Sequence, residues 1–173
     1  MSAGRPRAGR QLRALMLKDL RLELRTLDTI VAMLLFSVVA MLIFQFAVGS
    51  RGDDLSPISG GIMWATLALT AVLGVGRSWV PEREQRVLNG ILVAPVPRLV
   101  LLGAKAGAVY AYLLAVEIIV VPLTALFFVR HPEPVDFALI AAVCLLANLG
   151  ISILGSLLAC LALFARAREL MAE

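Results

Sequence analysis

Few residues of this chain have side chains that could carry chemistry, and the most unusual of them is Glu117. It lies about halfway along the 24-residue apolar stretch 106–129, in which no other residue is charged. A carboxyl group in such a stretch is energetically costly and marks either a polar pathway or a buried contact. We expect Glu117 to be protonated in place or bonded to another helix, with a hydrogen bond that only fixes helix packing as the alternative role. Pro122, five residues later, is expected to loosen the same helix.

The other reactive side chains form no catalytic or metal-binding pattern in the sequence. His131 is the only histidine, and it lacks neighbours in metal-ligand spacing. Cys144 and Cys160 fall in one predicted helix, about 24 Å apart along its axis, so they cannot bridge each other. The sequence has no nucleotide-binding glycine loop, nucleophile elbow or paired acid and base. It therefore predicts no metal site, no catalytic residues and no enzymatic activity of the chain by itself.

The elements that position these residues are four long apolar stretches. Of the 173 residues, 61% are hydrophobic and 16% are charged, whereas a soluble domain usually has about a quarter charged residues. The stretches predict membrane-spanning helices at about 29–49, 55–76, 106–129 and 137–165, each long enough for a bilayer. The sequence therefore predicts an all-α, polytopic transmembrane helical bundle with a transmembrane domain over 29–165.

The basic residues are distributed very unevenly among the connections between these spans. Fourteen of the sixteen lie in residues 1–28, in the central loop 77–105 or in the tail 166–173, and the other two are Arg51 and Arg130. Such asymmetry places the N-terminus, the central loop and the C-terminus in the cytoplasm. This uneven distribution also explains the net charge of +4 as a feature of membrane topology, so no nucleic-acid partner is predicted.

Residues 1–28 are predicted to form a cytoplasmic amphipathic helix at the membrane interface. Apolar residues recur every three or four positions, and basic residues gather on the opposing side. The basic side suits the anionic cytoplasmic leaflet. A basic tail that only sets topology, with incidental helicity, is the alternative. The apolar residues are Leu12, Met16, Leu20, Leu24 and Leu27, and the membrane-interface basic residues are Arg10, Lys18, Arg21 and Arg25.

The central loop contains a second amphipathic pattern. Pro81 suits the first turn of a helix, and Glu82 and Glu84 follow where the helix dipole favours acids. An apolar face formed by Val87, Leu88, Ile91 and Leu92 comes next, and Pro95 and Pro97 end the pattern. Such a helix could dock in a groove of a cytoplasmic partner or pack on the chain's own helices and the headgroups. In the fourth span, small residues at Gly150, Ser152, Gly155 and Ser156 predict close helix packing.

These segments, taken in order, resemble the heme exporter protein B family, the membrane permease of the cytochrome c maturation system. The resemblance covers nearly the whole chain and depends on order and spacing, because no single motif is decisive. Its residues are Leu20–Arg25, Gly61–Trp64, Arg77, Glu82–Glu84, Leu88, Gly90, Leu92, Pro95, Gly103, Lys105, Val116–Glu117, Pro122–Leu123 and Arg166–Glu169.

The resemblance implies a subunit of the type-2 ABC permease class in the bacterial inner membrane. Its implied partners are a separate cytoplasmic ATPase, which binds the ATP, heme-handling membrane proteins and membrane lipids. Heme is implied as a transported or handled ligand, and no directly bound cofactor is expected. The central-loop helix would be the coupling helix. Its ATPase-coupling residues would be Glu82, Arg83, Glu84, Leu88, Gly90, Ile91, Leu92 and Pro95.

The sequence departs from the family pattern in two places. Arg86 stands where the family usually has a glycine, and the chain has four of the family's six spans. A transporter permease is therefore the first hypothesis. The alternatives are a non-transporting assembly or scaffold protein of the same complex and a truncated, inactive homologue.

Overall fold

The protein is described by a computed structural model over residues 8–49, 56–80, 97–128 and 134–170, and within these ranges it is helical without any strand. This confirms the predicted all-helical class. The five helices are α1 (Ala8–Thr26), α2 (Asp28–Gly49), α3 (Ser56–Ser78), α4 (Arg98–Phe128) and α5 (Pro134–Leu170).

Four of these helices are long and apolar enough to cross a membrane, in agreement with the four predicted spans. The apolar segments are Asp28–Val48, Ser56–Ser78, Leu99–Phe128 and Ala138–Ala162. The third begins several residues before the expected start at 106, so residues 98–105 of the predicted central loop belong to a helix. The reason is that Lys105, which seemed to mark a polar loop, is buried and paired with an acid.

A single residue joins α1 to α2. Leu27 adopts a left-handed conformation with φ of 56°, which costs a non-glycine residue about 1 kcal/mol or more. Around this corner the Leu27 N–H still donates to the Glu23 carbonyl, and the Val31 N–H donates to the Leu27 carbonyl. Because these bonds continue across the corner, α1 and α2 are closely coupled in orientation.

Helix α4 lies at the centre of the bundle and packs against all four other helices. Its fully buried side chains include Val109, Val116 and Val120, which meet Met33 and Met41 of α2 within one hydrophobic core. The helix keeps Pro122 inside its length. Any group on the inward side of α4 is therefore held by neighbours from several elements.

Small residues allow α5 to approach α3 closely at one of the predicted positions. A Cβ atom added to Gly155 would lie 2.7 Å from Cγ2 of Val75, whereas one added to Gly150 would meet nothing within 4 Å. Ser152 and Ser156 are also buried. The close contact thus depends on Gly155, Ser152 and Ser156, and Gly150 takes no part in it.

Large apolar side chains cover the outward faces of α2 and α5. Phe46 is 76% exposed and Leu146 is 73% exposed, and many other large apolar residues of α2 and α5 are also exposed. A water-soluble protein rarely leaves such a continuous apolar surface uncovered. On helices of this length the surface is suited to contact with lipid chains.

The buried side of α1 differs from the predicted apolar face. Leu12 and Met16 do pack on α4, at Gly103 and Gly107, where an added Cβ atom would lie 3.2 and 2.9 Å from them. Leu24, however, is 68% exposed. The buried face continues instead through two acidic residues, Asp19 and Glu23. Both have polar partners on other helices, so their burial is compensated.

Candidate functional site

A group of charged and polar side chains lies where the spans α2, α3 and α4 come together at one end of the bundle. We call this group the helix-end cluster and define it as Asp19, Glu23, Arg77, Ser78 and Lys105. Asp19, Glu23, Ser78 and Lys105 are each less than a tenth exposed. Charges are rarely buried in this way without partners, so the cluster is a candidate site.

Lys105 makes the central contacts of the helix-end cluster. Its Nζ atom lies 3.0 Å from Oδ2 of Asp19 and donates a hydrogen bond to the Ser78 carbonyl oxygen at 3.1 Å. The same ammonium group lies 5.8 Å from the centre of the Trp79 ring, within the range of a cation–π contact. The hydroxyl group of Tyr112 also donates to the Asp19 carbonyl oxygen. One lysine therefore connects α1, the end of α3 and the first part of α4.

Glu23 stabilises the start of α2 from the preceding helix. Its Oε1 atom accepts hydrogen bonds from the backbone N–H groups of Thr29 and Ile30, at 2.7 and 2.9 Å. The first N–H groups of a helix have no partner within the helix, and a carboxylate there also interacts favourably with the helix dipole. This contact orients α2 and compensates the burial of the Glu23 carboxylate.

A second polar group lies near the middle of the span α4. We call it the mid-span cluster and define it as Glu117, Cys144 and Asn148. The Asn148 side-chain amide donates a 2.7 Å hydrogen bond to Oε2 of Glu117, and Cys144, one turn before Asn148 on α5, is also buried. Glu117 is 7% exposed, and its Oε1 atom has no hydrogen-bond partner among the described residues.

The depth of the mid-span cluster follows from the ends of α4. Near one end Lys105 contacts Ser78, and at the other the Ser56 hydroxyl group donates to the Phe128 carbonyl oxygen. Along the helix axis Glu117 lies about 18 Å from Lys105 and about 17 Å from Phe128, at about 1.5 Å per residue. The pair of Glu117 and Asn148 therefore links α4 to α5 deep within the apolar layer. This geometry suits interhelical bonding and shows no polar pathway through the described residues.

A third polar contact, without any charge, joins α2 to α3. The hydroxyl groups of Ser37 and Thr70 lie 2.9 Å apart, and each also lies within hydrogen-bond distance of a carbonyl oxygen one turn back in its own helix. Because each hydroxyl group has a single proton, one of the two donates to the other, which in turn donates to its own carbonyl oxygen. Backbone bonding of this kind satisfies a buried hydroxyl group without a partner from another element. The contact stabilises packing and offers no reactive group.

The structure leaves part of the predicted site undescribed. The predicted ATPase-coupling residues Glu82, Arg83, Glu84, Leu88, Gly90, Ile91, Leu92 and Pro95 lie within 81–96, outside the described residues. His131 also lies outside them. The predicted membrane-interface residues Arg10, Lys18, Arg21 and Arg25 are all exposed on α1. In the described part of the chain, no group of three or more His, Cys, Asp or Glu side chains could hold a metal ion.

Sequence reasoning missed most of the helix-end cluster. Asp19 and Glu23 continue the spacing of Leu12 and Met16 along one face of α1, and that spacing was the available signal. That spacing did not predict the burial of the two acids, because a buried acid can be recognised only together with its partner. Lys105, the partner of Asp19, is distant in sequence; the charge count and the family resemblance both include it, but neither predicts the pair. Asn148 gave no signal beyond being a polar residue in an apolar stretch.

Removing Lys105 is expected to destabilise the bundle strongly. In Lys105→Leu the buried Asp19 carboxylate loses its main partner, which typically costs about 3 to 5 kcal/mol. The Asp19→Leu, Lys105→Leu double variant should recover part of this loss. The control is Lys18→Leu, because Lys18 also contacts Asp19 but is 63% exposed, and its loss should cost less than about 1 kcal/mol. Unfolding in mixed detergent micelles measures these changes, and equal losses for Lys105→Leu and Lys18→Leu would contradict a structural role for the pair.

The bond between Glu117 and Asn148 is expected to show as a coupling energy. Glu117→Gln can still accept a hydrogen bond from Asn148, whereas Glu117→Leu leaves the amide unsatisfied in an apolar layer. A double-mutant cycle with Glu117→Leu and Asn148→Leu should give a coupling energy of about 1 kcal/mol, as for other intramembrane hydrogen bonds. The measurement is the free energy of unfolding of the four proteins in the same micelles. Additive effects of the two substitutions would show that the bond does not stabilise the fold.

Comparison with known proteins identifies the family of this chain. Residues 10–172 match the CcmB protein family. The chain is 31% identical to heme exporter protein B of Rhodobacter capsulatus over 97 residues, which are 56% of this chain and 44% of that protein. It is 31% identical to heme exporter protein B of Paracoccus denitrificans over 86 residues, which are 50% of this chain and 39% of that protein. The matched part therefore spans less than half the length of either relative.

No solved structure matches the chain. The family match covers most of the sequence, including all four apolar helices, the helix-end cluster and the mid-span cluster. It confirms the resemblance predicted from the order and spacing of the motifs. The chain is a multi-pass membrane protein that belongs to the CcmB protein family.

Proposed function

We propose that this chain acts as the membrane subunit of an ABC-type complex that exports or delivers heme for c-type cytochrome biogenesis. The family match and the name heme exporter protein B of its relatives support this function. In the proposal, ATP is hydrolysed by a separate cytoplasmic subunit, and heme-handling membrane proteins complete the complex. Heme is its cargo, and no residue of this chain is proposed as an iron ligand.

The contacts of Lys105 are the observation that best supports a coupling role. Residues 81–96, which contain the predicted coupling helix, follow α3 and precede α4 in the sequence. Lys105 of α4 is bonded to the Ser78 carbonyl at the end of α3 and to Asp19 of α1. A displacement of the segment would therefore act on three helices that share one buried charge. This arrangement is suited to converting a movement of a bound ATPase into a movement of the spans.

The proposed docking element is the amphipathic helix that the sequence predicts within residues 81–96. Leu88, Ile91 and Leu92 would enter a cleft of the ATPase, and Glu82 and Glu84 would meet basic residues at its rim. Apolar anchors at the centre of an interface usually contribute most of the affinity, while charges at the rim tune association. The exposed basic residues of α1 would keep this end of the bundle at the anionic cytoplasmic leaflet.

The proposed orientation places the helix-end cluster on the cytoplasmic side of the inner membrane. On a background lacking Cys144 and Cys160, a cysteine at Ser56 should react with a membrane-impermeant thiol reagent added to intact cells. A cysteine at Gln85 should react only after the cells are opened, because the basic residues hold that side inside. The measurement is the labelled fraction of each variant before and after lysis. Labelling of the Gln85 variant in intact cells would reverse the orientation.

Disrupting the apolar face of the coupling segment is expected to release the ATPase. The Leu88→Asp, Leu92→Asp double variant should lose at least about 2 kcal/mol of binding free energy, as is typical for central anchors. Glu84→Ala should have a smaller effect. Asn89→Asp is the control, because it adds a negative charge away from the apolar face of the predicted helix.

The measurement is copurification of the ATPase from detergent extracts that contain equal amounts of each membrane-inserted variant. Full retention by the double variant would show that this segment is not the docking element. Copurification of the chain with cytochrome maturation proteins but without any ATPase would favour the scaffold function instead.

A further inference from the structure

A cavity opens beside the helix-end cluster, between α1 and the ends of the spans. Its volume is about 690 Å³, and its walls come from α1, the start of α2, the end of α3 and the inward side of α4. The span Asp28–Val48 begins at this level, and the span Ser56–Ser78 ends there. The ends of membrane-spanning segments lie at the depth of lipid headgroups, so the cavity faces the headgroup layer.

Most charges in the cavity are already committed to partners. Asp19 is paired with Lys105, and Glu23 accepts the first N–H groups of α2. Two charges remain at the mouth, the carboxylate of Asp28 and the guanidinium of Arg77, and both residues are exposed. Neither forms an ion pair within the described part of the chain. The cavity therefore offers one negative and one positive group that form no ion pair within the described residues.

A backbone contact keeps these two residues together. Nη1 of Arg77 donates a 3.0 Å hydrogen bond to the Asp28 carbonyl oxygen, which leaves most of the five guanidinium N–H donors available. A guanidinium group is well suited to binding phosphate, and a carboxylate is suited to accepting hydrogen bonds from an ammonium group. The pair thus presents complementary charges to a zwitterionic ligand. Beside it, Leu22 and Val31 are each 45% exposed and could contact acyl chains.

We propose that this cavity binds the headgroup of a phospholipid with a primary ammonium group, that is, phosphatidylethanolamine. Arg77 contacts the phosphate, and Asp28 accepts hydrogen bonds from the ammonium group. Anionic lipids fit less well, because the cavity holds three carboxylates, of Asp19, Glu23 and Asp28, against the two cations Arg77 and Lys105. Phosphatidylcholine fits less well, because its quaternary ammonium has no N–H to donate. The proposal does not depend on heme export or on an ATPase.

The test measures which lipid the purified 173-residue chain retains. The protein is delipidated in mild detergent and titrated with phosphatidylethanolamine, its N-methyl and N,N-dimethyl derivatives, phosphatidylcholine or phosphatidylglycerol, and bound lipid is counted by native mass spectrometry. We expect one tightly held phosphatidylethanolamine. Its affinity should fall with each added methyl group, and phosphatidylcholine should bind roughly tenfold more weakly, as expected for loss of a charge-assisted hydrogen bond.

Variants locate the lipid in the cavity. Asp28→Asn should abolish the preference for phosphatidylethanolamine over phosphatidylcholine, and Arg77→Gln should weaken the binding of both. Arg13→Gln removes one exposed positive charge of α1 outside the cavity and should leave the preference unchanged. The methylation series needs no substitution, so it tests the proposal even if a variant fails to fold.

Three results would overturn the proposal. The first is equal retention of all the lipids by the wild-type chain, and the second is an unchanged preference in Asp28→Asn. The third is displacement of the lipid by an equimolar amount of water-soluble glycerophosphoethanolamine, which would assign the cavity to a soluble phosphate ester.

Discussion

Burial of the Lys105 ammonium group constrains the arrangement of the helix ends more than any other contact in the described structure. An ammonium group removed from water must find an acid and further partners, and here they come from two elements: Asp19 of α1, and the Ser78 carbonyl at the end of α3 with the Trp79 ring just beyond it. Because α4 contacts every other helix, fixing its first part against α1 and α3 also fixes their positions relative to α2 and α5.

The two buried polar clusters solve the same physical problem by different means. The helix-end cluster contains both signs of charge, lies at one end of the spans, and completes its bonding with backbone carbonyl and N–H groups. The mid-span cluster has no cation among the described residues, and the Glu117 carboxyl group is bonded to the Asn148 amide of α5. The mid-span cluster connects α4 to α5 without burying a pair of opposite charges. The helix-end cluster can respond to changes at the membrane surface, because it contains charged groups.

Sequence alone predicted the parts of the fold that depend on composition and local pattern. The four spans follow from uninterrupted apolar stretches, and the family follows from the order of several short motifs. The parts that escaped prediction depend on pairs distant in sequence. No prediction was made for Asp19, and Lys105 entered only the count of cytoplasmic basic residues and the family resemblance, since the burial of either makes sense only with the other in place. For Glu117 the residue stood out, but its partner Asn148 lies on another helix and could not be named in advance.

The corner at Leu27 has a consequence for how the chain assembles during synthesis. Glu23 accepts hydrogen bonds from N–H groups only six and seven residues later, those of Thr29 and Ile30, so this cap can form as soon as the segment leaves the ribosome. The contact between Tyr112 and Asp19 spans 93 residues, and it must wait, like the contact of Lys105 with Asp19, for the first half of α4. Until then Asp19 has no buried partner and is best placed in water. The nascent protein therefore sets the angle between α1 and the first span early, and draws α1 onto the bundle only after the first half of α4 has been made.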